Sequence, residues 1–234
     1  MAKIIKVERD VKSIIEEIKT YSSEVNKKGM SRFGINTDNA FGVSVTNLKQ
    51  IAKGIKKSHN LALDLWKTGY HEARIMGVLL DELDKVEEVQ LNKWVLDFNS
   101  WDICDLTCMY IVSKSNFCEK KIYEWYTREE EFVKRAAFAT IAAAAVHQKN
   151  WDDKKFINML PLVKTALNDE RNFVKKAVNW ALRGIGKRSK KLNNIAVDFT
   201  IQCLEETENK TARWILKDAL RELTNPNVIK RIKQ

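Results

Sequence analysis

Apolar residues along this chain recur at intervals of three and four. Val11, Ile14, Ile15 and Ile18 fall on one helical face, as do Leu48, Ile51, Ala52 and Ile55, with Thr46 placed to cap the second set. Ile75, Val78, Leu79 and Leu83 continue the pattern, and then Trp94, Val95 and Phe98. Ile195 to Leu204 is rich in β-branched residues, but no partner strand is in sight, so it reads as a helix too. Turn residues are scarce, with 8 Gly and 2 Pro in 234 residues, which favours helices joined by short connections over a sheet. The stretch from Asn26 to Val45 interrupts the pattern. It carries Gly29, Gly34, Gly42 and the polar run Asn36-Thr37-Asp38-Asn39, and reads as a connector. Further loops are expected at Gly184–Asn194 and at Asn225-Pro226.

An internal repeat organises the second half. Glu131-Phe132-Val133-Lys134-Arg135-Ala136 returns as Asn172-Phe173-Val174-Lys175-Lys176-Ala177, an offset of 41. Trp180-Ala181-Leu182-Arg183 is echoed by Asp218-Ala219-Leu220-Arg221, an offset of 38. A period of about 40 with two helices per unit is the spacing of HEAT-type repeats, whose units stack because none buries its apolar face alone. The expected fold is therefore all-α: a HEAT-like repeat α-solenoid spanning 1–234 as one domain, with an N-terminal helical cap over about 1–45. The second helix of each pair, starting near Val133, Val174 and Ala212, is expected to line the concave side. Those helices carry Arg135, Lys175, Lys176, Arg183 and Arg213, which makes that face basic.

Charge sharpens this picture. Residues 1–116 carry 17 Lys and Arg against 16 Asp and Glu, whereas residues 117–234 carry 24 against 15. A one-sided basic field points to a polyanionic partner, although a solubilising surface accounts for charge alone equally well. Cys104, Cys108, Cys118 and Cys203 do not have paired zinc spacing and read as buried thiols in a reducing cytosol. No window approaches about 18 consecutive apolar residues, so no membrane span is expected.

Three stretches have residues suited to chemistry. In Ser100-Trp101-Asp102-Ile103-Cys104-Asp105, Ser100 or Asn99 can cap a helix on which Trp101 and Asp105 share a face. An indole beside a carboxylate suits a transient cation. A core Trp with Asp102 and Asp105 as first-turn acids is the commoner arrangement at this spacing. In Phe132-Val133-Lys134-Arg135-Ala136-Ala137, Arg135 is able to fork onto a phosphate, or simply to lie on a helix surface. In Val178–Lys187, Trp180 and Arg183 are helix neighbours, and Gly184 and Gly186 suit a helix end, though Trp is usually core.

These stretches, in this order, resemble the AlkD-like DNA alkylation repair family, from about Met30 to the end of the chain. The resemblance implies a HEAT-like stack that cradles duplex DNA and hydrolyses the N-glycosidic bond of cationic alkylpurines such as 3-methyladenine and 7-methylguanine, without a base-flipping pocket. It implies that Asp105 is the catalytic carboxylate and that Trp101 and Trp180 flank the lesion's deoxyribose. It gives Arg135 the backbone grip, with Lys134 beside it, and gives Arg183 and Lys187 further phosphate contacts. Phe33 falls where some active members carry Tyr, so the ring is kept and the hydroxyl lost. No metal or cofactor is implied. The expected partner is duplex DNA containing alkylated bases, met by a cytoplasmic monomer with no obligate protein partner. Two rivals remain. One is a non-catalytic paralogue that binds branched or distorted duplexes. The other is a protein-interaction scaffold, against which the charge of the second half argues.

Overall fold

A computed structural model describes residues 6–232. Among them there is no strand, only an isolated parallel bridge between Val7 and Ile55. The chain forms two compact units, Met1–Ile111 and Val112–Gln234. The first holds α1 (Val11–Thr20), α2 (Glu24–Arg32), α3 (Val45–Lys53), α4 (His59–Lys67), α5 (His71–Leu80), α6 (Glu88–Leu96) and α7 (Trp101–Tyr110). The second holds α8 (Cys118–Trp125), α9 (Glu131–His147), α10 (Asp153–Ile157), α11 (Leu160–Thr165), α12 (Asn172–Gly186), α13 (Lys190–Glu206), α14 (Lys210–Leu223) and α15 (Pro226–Ile229).

The three helices expected from the repeat are α9, α12 and α14. The repeated motifs also make repeated contacts. Phe132 and Phe173, equivalent residues opening α9 and α12, stack with ring centroids 5.4 Å apart. Arg135 of α9 reaches the Phe173 carbonyl (2.5 Å), and Asn179 of α12 reaches the Ile215 carbonyl of α14 (2.9 Å). Helix α9 is buried on almost every side and is rich in alanine, from Ala136 to Ala145. Small residues let its neighbours close on it. A Cβ at Gly184 would stand 3.1 Å from Ala142 Cα, so glycine there lets α12 approach α9. Ile195–Leu204 lies in α13, helical despite its β-branched residues. All four cysteines are buried thiols. No helix of the described residues is long and apolar enough to cross a membrane.

Several local expectations are corrected. The cap of α3 is Ser44, not Thr46: its hydroxyl accepts from Asn47 N (3.2 Å), and Val45 already has helical backbone. The 26–45 connector is shorter than expected, because α2 runs through Gly29. Ser23 caps it at Asn26 N (3.2 Å), and one glycine costs a helix only about 1 kcal/mol. The 184–194 loop shrinks to Lys187–Ser189, because Ser189 caps α13 at Leu192 N. Asn225-Pro226 opens a short helix rather than ending one, since proline at its start needs no N–H.

Candidate nucleic-acid interface

In the first unit the candidate residues gather at the start of α7. Trp101 and Asp105 are half-buried, four apart on the same helix. Ser100 stands at the cap position, but its buried hydroxyl does not cap the helix; it accepts from Asn36 N instead (2.9 Å). The Trp101 indole N–H donates to the Phe33 carbonyl (3.1 Å). Asp102 is buried, with Oδ2 2.9 Å from His71 Nε2 and Oδ1 accepting from Ile103 N. The His71 amide in turn donates to the Asn39 carbonyl (2.8 Å). Ser100 and the first two residues of α7 thus fasten the segment between α2 and α3, directly or through His71. The Phe33 ring, at the C-cap of α2, is 74% exposed. The structure therefore separates the two acids of the motif by depth: Asp102 is buried, and Asp105 is half-buried.

Sequence reasoning missed Glu72. This carboxylate is fully buried and accepts from the amides of Phe41 (3.0 Å), Gly42 (2.8 Å) and Val43 (3.0 Å). Gly42 has φ +80°, and a Cβ there would stand 2.2 Å from the Ser23 carbonyl oxygen, so only glycine fits the turn. The available signal was an acid three and four residues before Ile75 and Met76, on the face that α5 buries.

The second unit carries the charge. Lys and Arg number 25 against 15 acids in residues 112–234, while residues 1–111 balance at 16 and 16. Arg135 is buried, and its guanidinium binds the Phe173 carbonyl. Lys134 pairs with Asp169 (3.0 Å), which Arg171 also engages (2.6 Å). Burial pushes the Asp169 carboxyl up, but Arg171 and Lys134 outweigh it and hold it down at about 2. Its folded value lies below the ordinary 3.8, so the stability it contributes is present above pH 3.8 and is lost as pH falls through about 2. Acid unfolding followed by circular dichroism should show a stability loss across that window, and the Asp169→Asn variant should lack this contribution.

Helix α12 presents an uninterrupted stripe. Phe173, Lys176, Trp180, Arg183 and Lys187 follow one another at intervals of three and four, and none is buried, while Val174, Ala177, Val178, Ala181, Leu182 and Ile185 form the opposite, core face. Fourteen residues of helix rise about 21 Å, roughly six base-pair steps of a duplex. Arg183 and Lys187 share Glu222 of α14, the lysine at 2.5 Å. Burial raises the Glu222 carboxyl, but Lys187 and Arg183 bring it below its ordinary value. Lys176 has no ion pair in the described residues and is exposed.

A family model described as DNA alkylation repair enzyme matches residues 14–223. A comparison with curated proteins finds no match. A solved structure has a TM-score of 0.75 to this one at 22% sequence identity, over 91% of this chain and 95% of that one. It is described as representing a new family of proteins related to the HEAT-like repeat DNA glycosylases, with affinity for branched DNA structures. The likeness makes the fold all-helical and HEAT-like.

Proposed function

We propose, because the chain belongs to the DNA alkylation repair enzyme family, that it binds duplex DNA and hydrolyses the N-glycosidic bond of positively charged alkylpurines such as 3-methyladenine and 7-methylguanine. It acts as a cytoplasmic monomer without metal or cofactor. The observation that carries this reading is the start of α7, where an indole and a carboxylate share a half-exposed face on a backbone fastened by Asn36, Phe33 and His71. A cationic purine is already a good leaving group. The difficult partner is the sugar, which gains oxocarbenium character as the bond lengthens. The Asp105 carboxylate stabilises that charge and orients water, and the Trp101 face adds a cation–π attraction of about 1–2 kcal/mol when desolvated. The α12 stripe supplies the phosphate contacts, with Trp180 against the sugar-phosphate backbone. Arg135, donating to a carbonyl, stiffens the α9–α12 packing beneath it.

The decisive assay is release of free 7-methylguanine and 3-methyladenine from methylated duplex DNA, resolved by chromatography. No release at any enzyme concentration overturns the glycosylase reading. A second reading, binding of branched or distorted duplexes without excision, is favoured by the exposed Phe33 ring, which lacks a hydroxyl, and by the affinity described for the solved structure. It predicts retention of branched DNA with no base released. For either reading, Lys176→Gln should lower the slope of log affinity against log salt by about 1, and Lys187→Gln, whose lysine is shared with Glu222, by less. An unchanged slope in both would remove the stripe from the DNA contact.

A further inference from the structure

The α12 stripe has a counterpart that the family motifs do not include. Helix α14 carries Lys210, Trp214, Lys217 and Arg221, all exposed, at intervals of four, three and four. Lys176, Trp180, Arg183 and Lys187 of α12 have the same order of cation, indole, cation, cation at the same intervals. The core face of α14 is distinct, formed by Ala212, Ile215, Leu216, Ala219 and Leu223. The two helices lie side by side: Asn179 reaches the Ile215 carbonyl, and Lys175 Nζ sits 5.5 Å from the centre of the Trp214 ring.

Two differences separate the stripes. On α12 both C-terminal cations are paired with Glu222, whereas on α14 only Arg221 is paired, with Asp218, and Lys210 and Lys217 have no partner among the described residues. Trp180 is half-buried, whereas Trp214 is 44% exposed, with the Lys175 ammonium over one face of its ring, which leaves the other face to a base. An exposed indole between unpaired cations is the arrangement that holds a single strand, with the base on the ring and the flanking phosphates on the lysines. Bases inside a duplex are already stacked on one another, so only an unpaired base can take the Trp214 face.

We propose that α14 is a second DNA contact, in which Trp214 stacks an unpaired base and Lys210 and Lys217 hold its flanking phosphates. The substrate class is thereby a duplex that continues into a single-stranded arm. This rests on the DNA-binding reading above, but not on excision.

The test is fluorescence anisotropy of the full chain with two labelled DNAs of equal duplex length, one blunt and one with a short single-stranded arm. The wild type is expected to prefer the armed DNA. Trp214→Ala should lose about five- to a hundredfold in affinity for the armed DNA, with blunt-duplex affinity and melting temperature unchanged. Trp214→Phe should retain most of the preference, because the ring remains. The Lys210→Gln, Lys217→Gln double variant should reduce the salt slope on armed DNA alone. Equal affinity of the wild type for both DNAs would overturn the proposal, as would equal weakening of both by Trp214→Ala. Failure of the wild type to bind either DNA would instead remove the DNA-binding premise, and the proposal with it.

Discussion

Asp105→Asn is expected to leave DNA affinity within about twofold of wild type and to slow single-turnover release of 7-methylguanine by at least about a hundredfold. The substitution preserves shape and removes charge, so it separates electrostatic stabilisation of the sugar from simple occupancy. A melting temperature measured beside the rate separates any effect on folding from loss of the charge; the contacts of Ser100, Trp101 and Asp102 stay in place in this variant. Asp102→Asn makes the complementary variant. It weakens the buried pairing with His71, so its main effect should be a lower melting temperature, with loss of release following only as α7 loosens. If Asp105→Asn released base at the wild-type rate, the carboxylate would have no part in the chemistry. Phe33→Tyr tests the other side of the same question. The ring is exposed and its backbone carbonyl is held by Trp101, so a hydroxyl can be added without repacking.

Much of the fold was legible because it is written locally. Intervals of three and four placed most of the main helices, and the offset of 41 marked Phe132 and Phe173 as equivalent residues, which the fold then stacks on each other. What escaped was non-local. The Trp101–Phe33 bond spans 68 residues, and Glu72 serves amides about 30 residues before it. No periodicity reports either. The cations show the same division. Sequence gives their number and the helices that carry them, but not that Lys134 meets Asp169, that Arg183 and Lys187 converge on Glu222, or that Arg135 turns inward to a carbonyl. Counting basic residues therefore overstates the charge offered to a phosphate at those positions. It understates the contribution of α14, where the lysines have no partner among the described residues. Helix ends were misjudged where two capping residues competed, as Ser44 and Thr46 do. The winner is the one whose backbone is extended while the next residue is already helical.

Glu72→Ala is expected to be the most damaging single substitution in the first unit. The carboxylate collects three consecutive amides, from Phe41, Gly42 and Val43, in a fully buried site. The left-handed turn at Gly42 aims those N–H groups at one point, and alanine leaves them without that acceptor. Each buried amide without an acceptor costs about 1–3 kcal/mol, so the loss should be at least about 3 kcal/mol. For a unit of this size that lowers the melting temperature by at least about 10 °C. Glu72→Gln should fall between the two, because one amide oxygen still accepts while the –NH2 group has no use for a second donor. Urea denaturation followed by circular dichroism measures both. If the alanine variant lay within 1 kcal/mol of wild type, water would be serving those amides and the buried carboxylate would not be organising the turn. The functional consequence follows from the same geometry. The segment that Glu72 holds is the one that α7 grips through Asn36 and Phe33, so loosening it should also release the backbone on which Trp101 is set. Base release and DNA affinity in Glu72→Gln should then fall together as temperature approaches its lowered midpoint, and match the wild type well below it.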